Sequence, residues 1–239
     1  MISELAFIRS YNTFWKSLFP GGDDYVRLIN SALGEKFDKP LAFADIPNRR
    51  ALINGISFSL FELQTLNEIK TNAIDELTSD SSVLKKILLQ EKKTLSNLRF
   101  GEKLSSKIND EELKVIKSIS KRLIEQYSKK HQLKVRPRFK GCGIIFEANG
   151  DIVYSSTLSE VKAGDRNFNI QDIRQLYVYL ALNHQSKEFK ITQMELCNPR
   201  TGVIWREYID VVSDNIAGSS TIEVYNEIIN FISNDNRSL

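Results

Sequence analysis

The chain has 239 residues, 41% apolar, 26% charged and 10% aromatic, with a net charge of +3 from 33 basic and 30 acidic side chains. That balance suits one large or two small globular domains and excludes disordered, collagenous and mini-protein classes. Two cysteines (Cys142, Cys197) and two histidines (His131, His184) are too few for a disulfide framework or a thiolate or imidazole metal cluster, which sets aside most histidine-dependent catalysis.

Up to about residue 130 the periodicity is helical. Leu5, Ile8, Tyr11, Trp15 and Leu18 recur at spacings of three and four, predicting one helix that ends at Pro20-Gly21-Gly22. Asp23 and Asp24 open a second, with Val26, Ile29 and Leu33 as its apolar stripe and Gly34 expected to close it at positive φ. A loop with two prolines runs from Lys36 to Pro47. Asn48 then caps a helix through Leu52, Ile56, Leu60, Leu63 and Leu66. Beyond Asp80, Leu84, Ile87 or Leu88, Leu95 and Leu98 mark another helix, interrupted at Gly101. Asp110 is the expected cap of a helix with the seam Leu113, Ile116, Ile119, Leu123 and Tyr127.

After about residue 135 the pattern turns strand-like. GCGIIFEA, DIVYSS and TLSEVKAG follow one another, with Asn149-Gly150 and Ser155-Ser156 as the expected turns. NIQDIRQLYVYLALN reads as a helix, EFKITQMELCN and VIWREYIDVV as strands, and Thr221 to Ile232 as a last helix. The expected organisation is therefore a helical region, 1–109, and an α/β unit, 110–239, of the order αβββαββ followed by a helix. Where the helical periodicity gives way to strands lies a basic joint, KKHQLKVRPRFK, with Lys129, Lys130, Lys134, Arg136, Arg138 and Lys140 and no acid. It reads either as a solvated linker or as a nucleic-acid-facing patch.

Chemistry concentrates in GDIVYSSTLSEVKAG. Glu160 and Lys162 are two apart on a strand, so they share a face at about 6.6 Å along the chain, while Val161 points the other way. A tight return at Ser155-Ser156 brings Asp151 alongside Glu160. Two converging carboxylates repel unless a cation lies between them, and oxygen-only donors suit Mg²⁺ or Mn²⁺. On this reading Asp151, Glu160 and the Val161 carbonyl hold the ion, with the two carboxylates expected within about 5 Å of each other. Lys162 orients the attacking water, helps deprotonate it or stabilises the developing anion. The plainer alternative for Glu160 and Lys162 is an exposed strand pair.

The chain here resembles the PD-(D/E)xK nuclease superfamily: Asp151 matches the strand aspartate and Glu160-Val161-Lys162 the E-x-K. Gln175 and Tyr179, four apart and so roughly 6 Å from each other on one helix face, look like the Q-x-x-x-Y motif of its RecB-type members. The resemblance covers about Lys140 to Tyr208. It implies a restriction-endonuclease-like core with a central mixed sheet, a Mg²⁺ (or Mn²⁺) cofactor, and hydrolysis of phosphodiester bonds in DNA rather than RNA. Asp151, Glu160, Lys162 and Gln175 are then the catalytic residues, and Tyr179, Arg166, Arg174, Arg138 and Lys140 the nucleic-acid contacts. Gly150 stands where the motif has proline, so Glu147 is a substitute for Asp151. Glu112 and Glu125 are candidates for the further acid that some members draw from their first core helix.

No phosphate-binding loop, dinucleotide fingerprint or nucleophile elbow occurs, so no nucleotide cofactor is expected. No apolar run reaches the roughly 18 residues of a membrane span, and Glu4 and Arg9 interrupt the opening stretch where a secretory signal would be apolar. The expectation is a cytoplasmic nuclease in a restriction, phage-defence or repair setting, with a protein partner or a second copy held through the N-terminal helices. The alternative is a nuclease-fold subunit without catalysis that binds nucleic acid or assembles a complex.

Overall fold

A computed structural model describes residues 1–42, 49–66, 73–79, 81–97 and 107–234. The expected cap at Asn48 and positions Asp80, Leu98 and Gly101 lie outside them. In chain order the elements are α1 (Glu4–Ser10), α2 (Asn12–Leu18), α3 (Gly22–Leu28) with a π turn (Ile29–Leu33), and β1 (Glu35–Lys36). Then come α4 (Arg50–Leu66), α5 (Ala73–Ser79), α6 (Ser81–Asn97) and α7 (Asp110–Tyr127). The third stretch holds β2 (Lys134–Val135), β3 (Arg138–Phe139), β4 (Ala148–Asn149), β5 (Ile152–Tyr154), β6 (Thr157–Val161) and α8 (Ile170–Ser186). It closes with β7 (Gln193–Asn198), β8 (Val203–Tyr208), α9 (Ile209–Ala217) and α10 (Thr221–Asn234). The architecture is mixed α and β around a mixed six-stranded sheet. No helix among the described residues is long and apolar enough to cross a membrane.

Two compact units form: Met1–Phe37, Lys130–Asn198 and Val203–Leu239 make the first, Asp38–Lys129 and Pro199–Gly202 the second. They do not follow the expected boundary at 109/110. The N-terminal helices join the sheet unit because their apolar faces (Phe7, Ile8, Trp15, Phe19, Tyr25, Val26, Ile29) are spent in its core. The helix from Asp110, expected to open the α/β unit, groups instead with the second unit, where α4 and α7 pack together.

In the first unit the sheet order is β1-β8-β7-β6-β5-β2. β5 and β6 form a two-residue hairpin through Ser155-Ser156, Ser155 taking a φ of 47°. β6 runs parallel to β7 and α8 makes the crossover. Leu158, Met194 and Leu196 carry the core onto α8, which is buried on every side from Asp172 to Asn183. A helix apolar over most of its circumference belongs inside a core, hence its weak amphipathic pattern.

Local departures have local reasons. The first expected helix breaks at Tyr11 (φ −106°, ψ 54°) into α1 and α2. Gly34 ends the π turn in extended conformation (φ −73°, ψ 125°), not at positive φ. Asn109, not Asp110, caps α7, in a reciprocal capping box with Glu112. GCGIIFEA is no long strand: Gly143, at φ 57°, lies so near the end of α10 that a Cβ there would sit 2.1 Å from the Ile232 carbonyl oxygen. Cys142 and Ile145 make isolated bridges, and Ala148–Asn149 pairs with β3 in a separate two-stranded sheet, so Asn149-Gly150 joins two sheets instead of closing a hairpin. The expected strand VIWREYIDVV stops at Tyr208, and IDVV starts α9.

Candidate active site

The β5–β6 ladder pairs Ile152 with Ser159, so one step further Asp151 stands across from Glu160. Asp151 Oδ2 accepts the Val161 N–H at 2.7 Å, which ties its carboxylate over the end of β6. Because side chains alternate along a strand, Glu160 and Lys162 both face α8. Lys162 Nζ donates to Glu160 Oε1 and to Gln175 Oε1, both at 2.7 Å. Gln175 Nε2 in turn donates to the Tyr179 hydroxyl at 2.8 Å, the two being one turn apart on α8. Tyr179 stacks on Phe139 with ring centroids 5.3 Å apart and planes at 14°. An anchored aromatic thus holds the glutamine, and the glutamine holds the ammonium.

The electrostatics follow from crowding acids in a buried place. Glu160 is 4% exposed; its Oε2 is buried and receives no hydrogen bond, while the Asp151 carboxyl lies within hydrogen-bonding reach. Burial, and then the Asp151 charge, push the Glu160 carboxyl up to about 8. Burial raises Asp151 as well, against the pull of Lys162, the Val161 N–H and Arg136. Burial pulls the Lys162 ammonium down, but Glu160, Asp172 and Asp151 outweigh it and the pKa stands raised. Two carboxyls meeting without a donor between them require a proton or a cation.

One acid that the sequence patterns do not single out joins them. Glu4, in the first turn of α1, is raised by burial and is close enough to Lys162 and Tyr179 to act on their charge states. α1 packs on α8. Its one sequence signal is a carboxylate in the first turn of an otherwise apolar helix, which equally marks an ordinary helix start.

The other expected contacts have protein partners. Arg166, half exposed, makes a bidentate pair with Asp172 through Nη1 and Nη2, each at 2.7 Å. Arg174 is 6% exposed, sits over the Trp15 ring and donates to Asn12 Oδ1, so its guanidinium is taken up by the protein interior. Arg138 is engaged by both oxygens of Glu147, the proposed substitute acid, and Lys140 lies 3.7 Å from Glu188. Glu112 is bound to the Arg49 guanidinium and the Asn109 N–H, and Glu125 is exposed on α7. Trp205 is buried, while the exposed Arg206 pairs with the buried Glu195, to which the Tyr154 hydroxyl also donates.

Among the described residues no three His, Cys, Asp or Glu side chains gather at metal-binding distance. The oxygen donors that meet there are the Asp151 and Glu160 carboxylates, with the Val161 N–H bound to Asp151. The sequence matches no protein-family model and no curated protein.

Proposed function

We propose that this protein is a divalent-metal-dependent nuclease, acting on DNA, whose sheet unit is a restriction-endonuclease-like core. The reading rests on one observation: the half-buried Asp151 and the buried Glu160 bring two carboxyls together, with Glu160 Oε2 lacking any donor, beside an ammonium held by Glu160 and Gln175. An orphaned buried carboxylate oxygen facing a second carboxyl is a fit for Mg²⁺ or Mn²⁺, with Asp151, Glu160 and the Val161 carbonyl as the protein donors. Such an ion, when bound, stabilises charge on a scissile phosphate and lowers the pKa of its water.

The chain's own residues supply the geometry. The Val161 N–H fixes Asp151, and Lys162 places a positive charge where an attacking water or a developing anion would lie. Gln175, backed by Tyr179 and Phe139, keeps that ammonium from swinging away. The exposed Lys134 and Arg136, with Arg136 close enough to act on the Asp151 carboxyl, supply positive potential beside the site. A partner that restrains the cutting, in a restriction, defence or repair setting, belongs to the same proposal.

The test is incubation with supercoiled and linear DNA, and with RNA, in Mg²⁺, Mn²⁺ or EDTA. Metal-dependent cutting of DNA that Glu160→Ala and Lys162→Ala each abolish is the expected result. Cleavage that survives both substitutions overturns the assigned site. Binding of DNA without cleavage in either metal leaves a nucleic-acid-binding subunit.

A further inference from the structure

Asp172 is 2% exposed, yet three groups converge on its carboxylate. Arg166 Nη1 reaches Oδ2 and Nη2 reaches Oδ1, both at 2.7 Å. The Asn169 N–H donates to Oδ2 at 2.9 Å, completing the capping box of α8. Lys162 Nζ lies 3.9 Å from Oδ1. A helix cap needs one oxygen and no neighbouring cations, so capping leaves most of this arrangement unexplained.

The donors of Lys162 show what Asp172 adds. An ammonium has three N–H groups, and two go to Glu160 Oε1 and Gln175 Oε1. The third is left for an incoming oxygen, since Asp172 Oδ1, at 3.9 Å, is an ion-pair partner beyond hydrogen-bond distance. The same oxygen takes Arg166 Nη2. Two cations from the loop and strand end thus flank one carboxylate oxygen, Arg166 by a hydrogen bond and Lys162 by an ion pair. Arg166 is half exposed and its Nε makes no hydrogen bond among the described residues, so the guanidinium can meet an incoming anion without leaving Asp172.

We infer that Asp172 is a positioning residue of the proposed nuclease site, holding the Lys162 ammonium and the Arg166 guanidinium in one frame so that both grip the same substrate phosphate. This rests on the nuclease reading. Lys162 acts at the reacting phosphate, Arg166 supplies binding, and Asp172, which touches neither substrate nor ion, sets their spacing.

Steady-state cleavage of a labelled DNA duplex by the full chain in Mg²⁺ or Mn²⁺ tests it. Asp172→Asn retains an oxygen for the Asn169 N–H, and with it the cap, but loses the charge that holds both cations. The expected result is kcat lowered by roughly 10²-fold, the cost of a misplaced reacting group, together with a raised KM from the released Arg166, at a melting temperature near that of the wild type. Arg166→Ala is expected to raise KM with kcat near that of the wild type. An Asp172→Asn protein whose kcat stays within about threefold of wild type overturns the inference. Should that variant fail to fold, Asp172→Glu decides, since it keeps the charge and shifts it by one methylene. Lowered kcat, whatever the change in KM, supports the frame, and wild-type kinetics overturn it. A wild type that cuts nothing in either metal removes the nuclease reading itself, which is distinct from a wild type that cuts and an Asp172→Asn variant that cuts equally well.

Discussion

Asp151 and Glu160 face each other across the β5–β6 ladder, one step beyond the Ile152–Ser159 pair, and no donor reaches Glu160 Oε2 between them. The hairpin forces this meeting: with two residues in the turn and Tyr154 opposite Thr157, register alone carries the two acids to the same level. Their fate is settled by what else reaches them, a proton or a cation.

That competition predicts a pH signature. Burial and Asp151 raise Glu160 from 4.5 to about 8, so the folded state holds this proton more tightly than the unfolded chain. The resulting stability is full below the unfolded pKa, shrinks as pH rises, and is lost once pH passes the folded value. Thermal melts in EDTA should show the melting temperature falling between pH 5 and about 8. Mg²⁺ or Mn²⁺, replacing the proton, should raise it most at the alkaline end. Glu160→Gln should flatten both responses; a variant that kept the metal-dependent rise would place the ion elsewhere.

Glu4 extends the acidic cluster from a distant part of the chain. Its charge acts on Lys162 and Tyr179, although Asp38–Lys129 of the second unit lie between it and Asp151 in sequence. Glu4→Gln keeps the size of the side chain and removes its charge. Cleavage should fall roughly 10- to 100-fold, the usual cost of losing an outer partner of a metal site, and the metal concentration for half-maximal rate should rise. Unchanged metal dependence would confine Glu4 to the start of α1.

Glu112, a candidate ligand by sequence, is held by the buried Arg49 guanidinium and by the cap of α7. Burial raises its pKa, but the Arg49 and Asn109 hydrogen bonds outweigh that and hold it low. Removing one partner of a buried pair strands the other's charge. Glu112→Ala should therefore cost about 3 kcal/mol in denaturant unfolding. The metal response of cleavage should not change.

Within the basic joint the charges are unequal. Arg138 is engaged by both oxygens of Glu147; Lys134 and Arg136 are, like it, exposed. Replacing Lys134 and Arg136 together by Ala should weaken DNA binding and reduce the slope of log affinity against log salt by about 2, one for each phosphate these side chains neutralise. Arg138→Ala should leave that slope nearly unaltered. Equal effects at all three positions would mean that Glu147 gives up its partner to the nucleic acid.

Much of the site is legible along the chain. Period-two alternation puts Glu160 and Lys162 on one strand face, the short return at Ser155-Ser156 brings Asp151 back to them, and the four-residue spacing joins Gln175 to Tyr179. These are consequences of backbone repeat, and a repeat is written in the order of residues. Helix α7 and the last helix are equally readable, because an amphipathic stripe is a local property.

What linear order could not supply is which distant surfaces meet. The packing of α1 on α8 brings Glu4 to Lys162, and the burial of α8 on all sides turns Arg174 into a core residue and Asp172 into a shared anchor for two cations. The close approach of the α10 end to Gly143 keeps GCGIIFEA from being a strand. Periodicity records which way each side chain points on its own element. Charge state, partner and burial depend on the elements packed against it, and that packing joins residues far apart in the chain.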